Sequence, residues 1–183
     1  TPDSRLPTPD YSLITGFKGH SKAFVKIQDG CDNFCSYCRV PLVRGPLRSK
    51  PVEKIVKEVE ALVGNGFKEI VLTGICLGAW GKDLFSNTLA KGIGLEGLSI
   101  LDCLMALNKI PGDFRIRLSS IEPKYVTDKL IDFICGNEKM CRHLHIPLQS
   151  GDDDILKRMN RHYKASDYKA LVEKHNAEGV NKR

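Results

Sequence analysis

Three cysteines lie within eight residues of one another in the segment CDNFCSYC, as Cys31, Cys35 and Cys38. They follow FVKIQD (24–29), whose alternating apolar residues predict a β-strand. Three thiols in so short a loop predict either a disulfide-bonded loop or most of a metal site. The chain has seven cysteines, an odd number, and the other four are scattered. This distribution argues against the paired disulfide framework of a small secreted protein.

The spacing C-x3-C-x2-C restricts the metal that the loop could hold. A structural zinc ion takes four protein ligands, commonly from two closely spaced pairs, and the sequence has no second pair. Cys141, His143 and His145 alternate along one predicted strand, so a separate metal site there is an alternative to packed histidines. Thiolates suit iron and sulfide, and three cysteines can hold three irons of a 4Fe–4S cluster. The fourth iron would then be open to a small molecule.

The composition indicates a globular protein. At 183 residues the chain is long enough for one domain with its own core. No apolar run approaches the ~18 residues of a membrane span, and the first residues, TPDSRLPTPDYS, lack the apolar stretch of a secretion signal. We therefore expect a reducing cytoplasm and no membrane partner. The net charge of +6 is compatible with an anionic partner such as RNA but does not require one.

Strand-like and helix-like segments alternate along the chain. The predicted strands are FVKIQ (24–28), EIVLTG (69–74), FRIRLSS (114–120) and HLHIPLQS (143–150). The predicted helices are 51–66, 98–110, 126–136 and a last region in which 152–160 continues into 166–179. Four successive β-then-α units predict a parallel sheet with right-handed crossovers.

The two faces of the predicted strands differ. One face is apolar and suits packing under helices, with Ile70, Leu72, Ile116, Leu118, Leu144, Ile146 and Leu148. The other face ends in polar residues at the carboxyl ends of the strands, namely Gln28, Thr73, Ser119 and Gln149. Polar side chains gathered at that end predict a barrel-type active site, with the cysteine loop at the same end. Chance alternation is the alternative.

The two ends of the sequence suggest a piece of a longer protein. Residues 1–21 are rich in Pro, Ser, Thr and Gly and predict a linker from a missing N-terminal domain. We assign 22–183 to the core domain, which is incomplete at its C-terminus because four strands cannot close a barrel. The expected fold class is therefore α/β, a partial (βα) barrel of about four parallel units that stops before closure.

The cysteine motif and its flanks resemble a known family. CDNFCSYC is similar to the signature CxxxCxφC of radical S-adenosylmethionine (SAM) enzymes, with Tyr37 as the aromatic residue. The resemblance to the tRNA methylthiotransferases rests on the segments QDGCDNFCSYCRVPLVRGPLRS, EIVLTGICLGAWGKDL, RLSSIEP and HLHIPLQSGDDDILKRMNRHY. The nearest branch is the bacterial one that modifies N6-threonylcarbamoyladenosine beside the anticodon. The resemblance covers about residues 20–175.

The resemblance implies roles for individual residues. The cluster ligands would be Cys31, Cys35 and Cys38, with SAM bound at the open iron of a 4Fe–4S cluster. The residues that would contact SAM are Tyr37 near the adenine, Thr73, Gly74 and Ile75 at the methionine end, and Ser119 and Gln149 at two strand ends. Arg44 and Arg48, in the segment RGPLRS, would contact RNA. A second basic group, with Lys157, Arg158, Arg161 and Lys164, is either a further RNA contact or a solvated surface.

The implied reaction begins with reductive cleavage of SAM to a 5′-deoxyadenosyl radical. The radical removes hydrogen from C2 of N6-threonylcarbamoyladenosine, and a methylthio group is then added to that carbon. The sulfur is carried by a second 4Fe–4S cluster, held by three cysteines of an N-terminal domain that no segment here resembles. This chain alone is therefore expected to cleave SAM at most. The implied partners are the tRNA anticodon loop and a flavodoxin- or ferredoxin-type reductant, with the protein acting as a monomer.

Two other functions stay open at this point. Related methylthiotransferases act on isopentenyladenosine in tRNA or on a ribosomal protein. A non-catalytic iron–sulfur electron-transfer module would need a fourth cysteine ligand, for which the sequence offers no well-spaced candidate. No role is assigned to Cys76 or to the loop 86–97. Trp80 either stacks on a nucleobase or anchors a loop.

Overall fold

The computed structural model describes residues 12–17, 19–84 and 98–180. Its strands are β1 (Lys22–Asp29), β2 (Arg48–Ser49), β3 (Glu69–Gly74) and β4 (Arg115–Leu118). Its helices are α1 (Val40–Arg44), α2 (Val52–Gly64), α3 (Ile100–Asn108), α4 (Asp128–Gly136), α5 (Asp153–Arg158) and α6 (Ala165–Ala177). Short 3₁₀ turns lie at Leu77–Ala79 and Pro123–Tyr125.

The strands form one sheet in the order β2-β1-β3-β4. β3 pairs in parallel with both neighbours, so that Ile70 lies opposite Ala23 on one side and Ile116 on the other. Parallel neighbours need crossover connections, which α2 and α3 provide. β2 pairs antiparallel with the end of β1 and was not predicted, because two residues are too few to show a periodicity. The α/β class and the parallel order confirm the prediction of a partial (βα) barrel.

The predicted fourth strand, 143–150, does not form a continuous ladder. One isolated parallel bridge, between His145 and Ser120, joins the segment to the β4 region, and a second bridge, between Met140 and Ile116, precedes the segment. Pro147 has no backbone N–H to donate, which interrupts any ladder through this segment. Leu148, expected in the apolar set, is 36% exposed. The parallel orientation predicted for this segment is therefore confirmed, but the prediction of a continuous strand over 143–150 is wrong.

Helices cover one face of the sheet, as the apolar pattern predicts. β1 contributes the alternate residues Ala23, Val25 and Ile27, all fully buried. α2 packs on them because its apolar residues recur at helical spacing, with Ile55 and Val59 also fully buried. Burial of a side chain of this size contributes roughly 1.5–3 kcal/mol. α3 packs beside α2 and extends this layer toward α4.

The last predicted helical region is two helices rather than one. α5 begins where the side chain of Asp152 accepts a hydrogen bond from the backbone N–H of Ile155 at 2.9 Å, so the acidic run at 152–154 caps the start of a helix. The helix ends before Asn160, whose φ of +56° cannot continue a right-handed helix. We name residues 158–161 the clamp turn, because this turn contacts the cysteine loop.

The face opposite the helices carries charges near the start of β3. Glu69 is 7% exposed and forms ion pairs with Arg117 at 2.7 Å and with Lys22 at 3.0 Å, on the two neighbouring strands. The hydrogen bond from Arg117, with the Lys22 ammonium beside it, lowers the pKa of Glu69 to about 2. One buried carboxylate thereby ties three parallel strands together.

We expect Glu69→Gln to destabilise the fold at pH 7 by about 2 kcal/mol, because three cations, Lys22, Arg117 and Arg115, lose a buried carboxylate partner. A carboxyl group with a depressed folded pKa stabilises the protein above its unfolded pKa and loses that effect as the pH falls toward the folded value. The difference between parent and variant should therefore shrink as the pH falls from about 4.5 toward 2. Urea unfolding at a series of pH values measures it.

The control for this prediction is Asp113→Asn. It breaks an ion pair between Lys68 and Asp113, whose side chains are both exposed, and it should leave stability unchanged at every pH. If the Glu69 and Asp113 variants show the same pH dependence, the ion-pair network of Glu69 does not stabilise the sheet.

Two predicted segments, the linker and the loop 86–97, lie partly or wholly outside the described residues. Of the predicted linker, residues 12–17 and 19–21 are described, and the rest lies outside. Phe17 packs edge-on against Phe67 of the core domain. The predicted loop 86–97 also lies outside the described residues. In the described part of the chain, no helix combines the length and the apolar character needed to cross a lipid bilayer.

Candidate functional site

The cysteine loop leaves β1 through a turn that requires glycine. Gly30 has a φ of +69°, and a Cβ there would lie 1.9 Å from the carbonyl oxygen of Pro46. Beyond the turn, Cys31 and Cys35 are each 8% exposed. The backbone N–H of Cys38 closes the loop onto the carbonyl oxygen of Cys35 at 2.9 Å. The three predicted ligands thus lie on one compact loop at the carboxyl end of β1.

The clamp turn holds the cysteine loop from one side. The backbone N–H of Ser36 donates to the carbonyl oxygen of Met159 at 3.2 Å, and the Ser36 hydroxyl donates to the carbonyl oxygen of Arg158 at 2.6 Å. Asn160 Nδ2 donates to the carbonyl oxygen of Phe34 at 2.9 Å. Phe34 has a φ of +47°, which is unfavourable for a bulky residue. The contacts with the clamp turn therefore help to maintain a loop conformation that is strained by itself.

Two residues of the predicted SAM pocket are joined directly. Tyr37 OH donates to Gln149 Oε1 at 3.1 Å and accepts a hydrogen bond from Arg161 Nη2 at 2.5 Å. Tyr37 remains 51% exposed, so part of its ring is open to a bound molecule. The fold thus brings together Tyr37 and Gln149, which are 112 positions apart in the sequence.

Arg161, which the sequence indicates only as one member of a basic group, completes this side of the loop with Asn33 and Glu122, for which the sequence predicts no role. Arg161 forms an ion pair with Glu122 at 3.1 Å, and its side chain is only 10% exposed. Asn33, between the first two cysteines, donates from Nδ2 to both carboxylate oxygens of Glu122 at 3.0 Å. Arg161 is therefore not a solvated surface charge. The signal that could have found these residues is their place inside the segments that carry the family resemblance.

The turn Thr73-Gly74-Ile75 is built against the end of β1. Gln28 is fully buried, and its Oε1 accepts a hydrogen bond from the backbone N–H of Cys76 at 2.6 Å. A Cβ on Gly74 would lie 3.0 Å from Gln28 Oε1, so glycine permits this close approach. Gln28 therefore supports the turn from beneath and does not face an open pocket. Ile75 is 43% exposed at the outer side of the turn.

Ser119 and Thr73, two other polar residues predicted at strand ends, also lie at the carboxyl edge of the sheet. The backbone N–H of Ser119 donates to the carbonyl oxygen of Leu72 at 3.0 Å, directly beyond β4. Thr73 Oγ1 donates to the carbonyl oxygen of Val25 at 3.3 Å. Ser119 and Thr73 are both half-buried. The polar strand ends predicted from the sequence are therefore gathered at the carboxyl edge.

The thiols of the loop differ in how readily they ionise. The neighbouring Cys76 side chain lowers the pKa of Cys31 below its ordinary value. Burial raises the pKa of Cys35 above its ordinary value. The lowered pKa of Cys31 favours the thiolate, which is the form of cysteine that binds a metal.

The loop suits a cluster better than a single ion. In residues 12–17, 19–84 and 98–180, no three or more Cys, His, Asp or Glu side chains are arranged to hold one metal ion, Cys141, His143 and His145 included. A 4Fe–4S cluster binds its thiolates through different iron atoms, so its ligands need not converge on one point. Three thiols on one compact loop fit that requirement.

The two predicted RNA-binding arginines surround a buried carboxylate. The Oδ2 of Asp29, a residue 3% exposed, lies 2.8 Å from Lys26, 3.7 Å from Arg44 and 4.0 Å from Arg48. Burial alone would raise the pKa of Asp29, but the hydrogen bond from Lys26 and the nearby Arg44 hold it below its ordinary value. We name Lys26, Arg44 and Arg48 the basic cluster. Three cations around one anion leave an excess of positive charge next to the cysteine loop.

Trp80 and Cys103 have structural roles. Trp80 is fully buried, and its Nε1 donates to the carbonyl oxygen of Lys50 at 2.9 Å, so it anchors a loop and does not stack on a nucleobase. Cys103 is fully buried in α3, where burial raises its pKa to about 12. Cys103 is therefore an ordinary core residue.

A comparison with known protein families shows the family to which the chain belongs. Residues 25–182 match the family model described as the radical SAM superfamily. The chain belongs to this superfamily. Membership implies a 4Fe–4S cluster and SAM as cofactors, which confirms the cofactors expected from the cysteine motif.

The radical SAM chain is similar to tRNA-modifying proteins. It is 43% identical over 168 residues to threonylcarbamoyladenosine tRNA methylthiotransferase MtaB of Thermotoga maritima, a match that covers 91% of this chain and 36% of that protein. It is 43% identical over 157 residues to tRNA-2-methylthio-N(6)-dimethylallyladenosine synthase of Clostridium tetani, which covers 86% and 32%. The chain therefore spans about a third of the length of these relatives.

Solved radical SAM structures share the fold. TsrM from Kitasatospora setae, a radical SAM methyltransferase, matches with a TM-score of 0.61 at 16% identity, over 87% of this chain and 29% of that one. The cobalamin-dependent SAM radical enzyme OxsB matches with a TM-score of 0.63 at 18% identity, over 86% and 22%. These likenesses concern the fold alone, and they confirm the partial radical SAM barrel.

Proposed function

We propose that this chain is the radical SAM core of a tRNA methylthiotransferase, which cleaves SAM to produce the radical that activates C2 of an adenosine beside the anticodon. The observation that carries the proposal is the cysteine loop with Cys31, Cys35 and Cys38, placed where the carboxyl ends of parallel strands meet. When bound, the cluster supplies the electron that breaks a carbon–sulfur bond of SAM.

The chain's own residues would bind and orient SAM. The exposed part of the Tyr37 ring offers a surface for the adenine, and the ring position is fixed by Gln149 and Arg161. The peptide groups of the turn Thr73-Gly74-Ile75 offer hydrogen bonds to the methionine end. Ser119 adds a hydroxyl at the end of the next strand. These roles rest on the placement of the residues at one edge of the sheet.

Anaerobic reconstitution with iron and sulfide, followed by electron paramagnetic resonance with and without SAM, tests the proposal. We expect a reduced 4Fe–4S signal that shifts when SAM is added, and 5′-deoxyadenosine as a product when a reductant is present. A cluster indifferent to SAM would favour an electron-transfer module. Stoichiometric zinc without a cluster would overturn the proposal.

We further propose N6-threonylcarbamoyladenosine as the substrate nucleoside. Sequence identity does not separate this substrate from dimethylallyladenosine, because relatives named for the two are equally similar to this chain. The two nucleosides differ chemically, since the threonylcarbamoyl group ends in a carboxylate and the dimethylallyl group is apolar. The basic cluster lies next to the cysteine loop, and Arg44 is 52% exposed and within reach of a ligand. A cationic surface at this place favours the anionic group.

Binding of labelled anticodon stem-loops, measured by fluorescence anisotropy, tests this choice. We expect the stem-loop with threonylcarbamoyladenosine to bind about tenfold more tightly than one with dimethylallyladenosine or plain adenosine, because it adds a charge-assisted contact. Arg44→Gln should reduce that advantage, whereas Lys169→Gln, an exposed lysine on α6, should not. Equal binding of the three RNAs would contradict the choice of nucleoside.

The complete reaction is proposed for a longer protein rather than for this chain. Methylthio transfer would need the second cluster of an N-terminal domain, to which residues 1–21 would be the linker. We propose a flavodoxin- or ferredoxin-type reductant, action as a monomer, and a cytoplasmic location where tRNA is modified. This chain, with SAM and reductant, should yield 5′-deoxyadenosine without a methylthio product.

A further inference from the structure

We propose that Asn33 is a positioning residue for the iron–sulfur cluster, because its side-chain amide fixes the part of the cysteine loop between Cys31 and Cys35. The amide group is bonded at both of its polar atoms. Nδ2 donates to the two carboxylate oxygens of Glu122 at 3.0 Å each, and Oδ1 accepts a hydrogen bond from the Lys124 ammonium. The inference rests on the proposed cluster at the three cysteines of this loop.

The partners of Asn33 determine which way its amide group faces. A carboxylate can only accept hydrogen bonds, and an ammonium group can only donate them. The nitrogen of Asn33 therefore faces Glu122 and its oxygen faces Lys124, since the reverse orientation would place acceptor against acceptor and donor against donor. Nδ2 also lies 3.4 Å from Cys76 Sγ. An aspartate at this position could bond Lys124 but would repel Glu122, so the two contacts together need an amide.

The contact between Asn33 and Glu122 joins the ends of two strands that are not neighbours. Asn33 follows β1 and Glu122 follows β4, and β3 lies between these two strands in the sheet. The hydrogen bonds therefore connect the cysteine loop to the far side of the sheet's carboxyl edge. The Glu122 side chain is 22% exposed, so these bonds are partly sheltered from competing water.

The segment on the other side of this contact is itself fixed. Glu122 precedes the 3₁₀ turn Pro123–Tyr125, and the backbone N–H of Tyr125 donates to the carbonyl oxygen of Glu122 at 3.0 Å. Pro123 is buried, and its ring restricts the backbone. Arg161 holds the Glu122 carboxylate from the clamp turn at 3.1 Å. The cysteine loop is thus tied to a rigid neighbour, which helps a ligand loop to keep its thiols at a fixed spacing.

Hydrogen–deuterium exchange of the cluster-free chain, measured by mass spectrometry, tests the inference without the cofactor. Asn33→Asp places a second carboxylate against Glu122 and should raise amide exchange in the peptide 30–38 about tenfold, because repulsion between like charges opens the loop. Lys124→Met removes the other contact of the amide and should raise exchange by a smaller factor. Lys129→Met, at another exposed lysine, is the control and should leave this peptide unchanged. Bound iron after reconstitution should fall in the same order.

Reversing the pair separates positioning of the loop from a general loss of stability. Asn33→Asp combined with Glu122→Gln moves the carboxylate from one partner to the other and restores an amide–carboxylate contact. Exchange in the cysteine loop and bound iron should therefore return close to the parent values. Asn65→Asp makes the same chemical change at an asparagine that bonds the carbonyl oxygen of Thr15, and it should leave the cysteine loop unchanged.

Unchanged exchange of the cysteine loop in Asn33→Asp would overturn the inference. A double variant whose loop is as open as that of Asn33→Asp alone would also overturn it, because the contact with Glu122 would then have no effect. Should Asn33→Asp not fold, equal exchange in Lys124→Met and Lys129→Met overturns the inference. Each of these results leaves the proposed function intact, whereas a parent chain that binds no cluster would overturn the proposed function.

Discussion

Replacing Cys35 with alanine is expected to remove the cluster from the reconstituted protein. Cys35 is the middle ligand of the loop and is 8% exposed. Each of the three thiolates holds a different iron, so its loss leaves a second iron without a protein ligand and the cluster comes apart. Bound iron should fall from about four atoms per chain to well below one. Iron and sulfide analysis with electron paramagnetic resonance measures this, and SAM cleavage should be lost in parallel.

Cys141→Ala is the matched control for this variant. Cys141 is also 8% exposed, and it lies beside β4 rather than on the cysteine loop. The control should keep its full complement of iron and its SAM-dependent signal. Equal loss of iron in the two variants would show that the sequence motif does not identify the ligands. Full retention of iron in Cys35→Ala would show the same.

The fold could be predicted from the sequence where its determinants are local. β1 alternates between exposed and buried residues over its first half, and β3 carries a short apolar run at 70–72. Both lie under helices that have clear apolar faces, and such patterns and the turn residues that bound them are visible in a single sequence. The segment 143–150 also alternates in polarity, yet a single isolated bridge, between His145 and Ser120, joins it to its neighbour. Periodicity predicts the face of the sheet on which a side chain lies. A β-ladder also needs backbone N–H donors along the strand, and Pro147 has none.

Site residues could be predicted only where a local sequence pattern indicates their chemistry. The spacing of the three cysteines predicts their role as ligands, whereas nothing in the sequence distinguishes Arg161 from the other charged residues of its segment. Its role appears once the fold brings it to Tyr37, 124 positions away in the sequence. The same holds for Asn160, which reaches Phe34 across 126 positions. Trp80 shows the converse, because a residue suited to stacking is buried in a loop.

Arg161→Gln is expected to weaken SAM binding by about tenfold and to lower stability by about 2 kcal/mol. The guanidinium is shared between the Glu122 carboxylate at 3.1 Å and Tyr37 OH at 2.5 Å. Without it, a partly buried carboxylate loses its cation and Tyr37 loses a bond that fixes its ring. Urea unfolding of the cluster-free chain measures stability. Equilibrium dialysis of the reconstituted chain measures SAM affinity.

A double variant separates the two effects of Arg161. Adding Glu122→Gln removes the unpaired charge, so stability should recover by about 1 kcal/mol. SAM affinity should stay low, because Tyr37 still lacks its support. Lys157→Gln, an exposed residue of the same basic group, is the control and should match the parent in both measurements. If Arg161→Gln behaves like Lys157→Gln, then Arg161 is only a surface charge, and the backbone contacts of the clamp turn suffice to shape the cysteine loop.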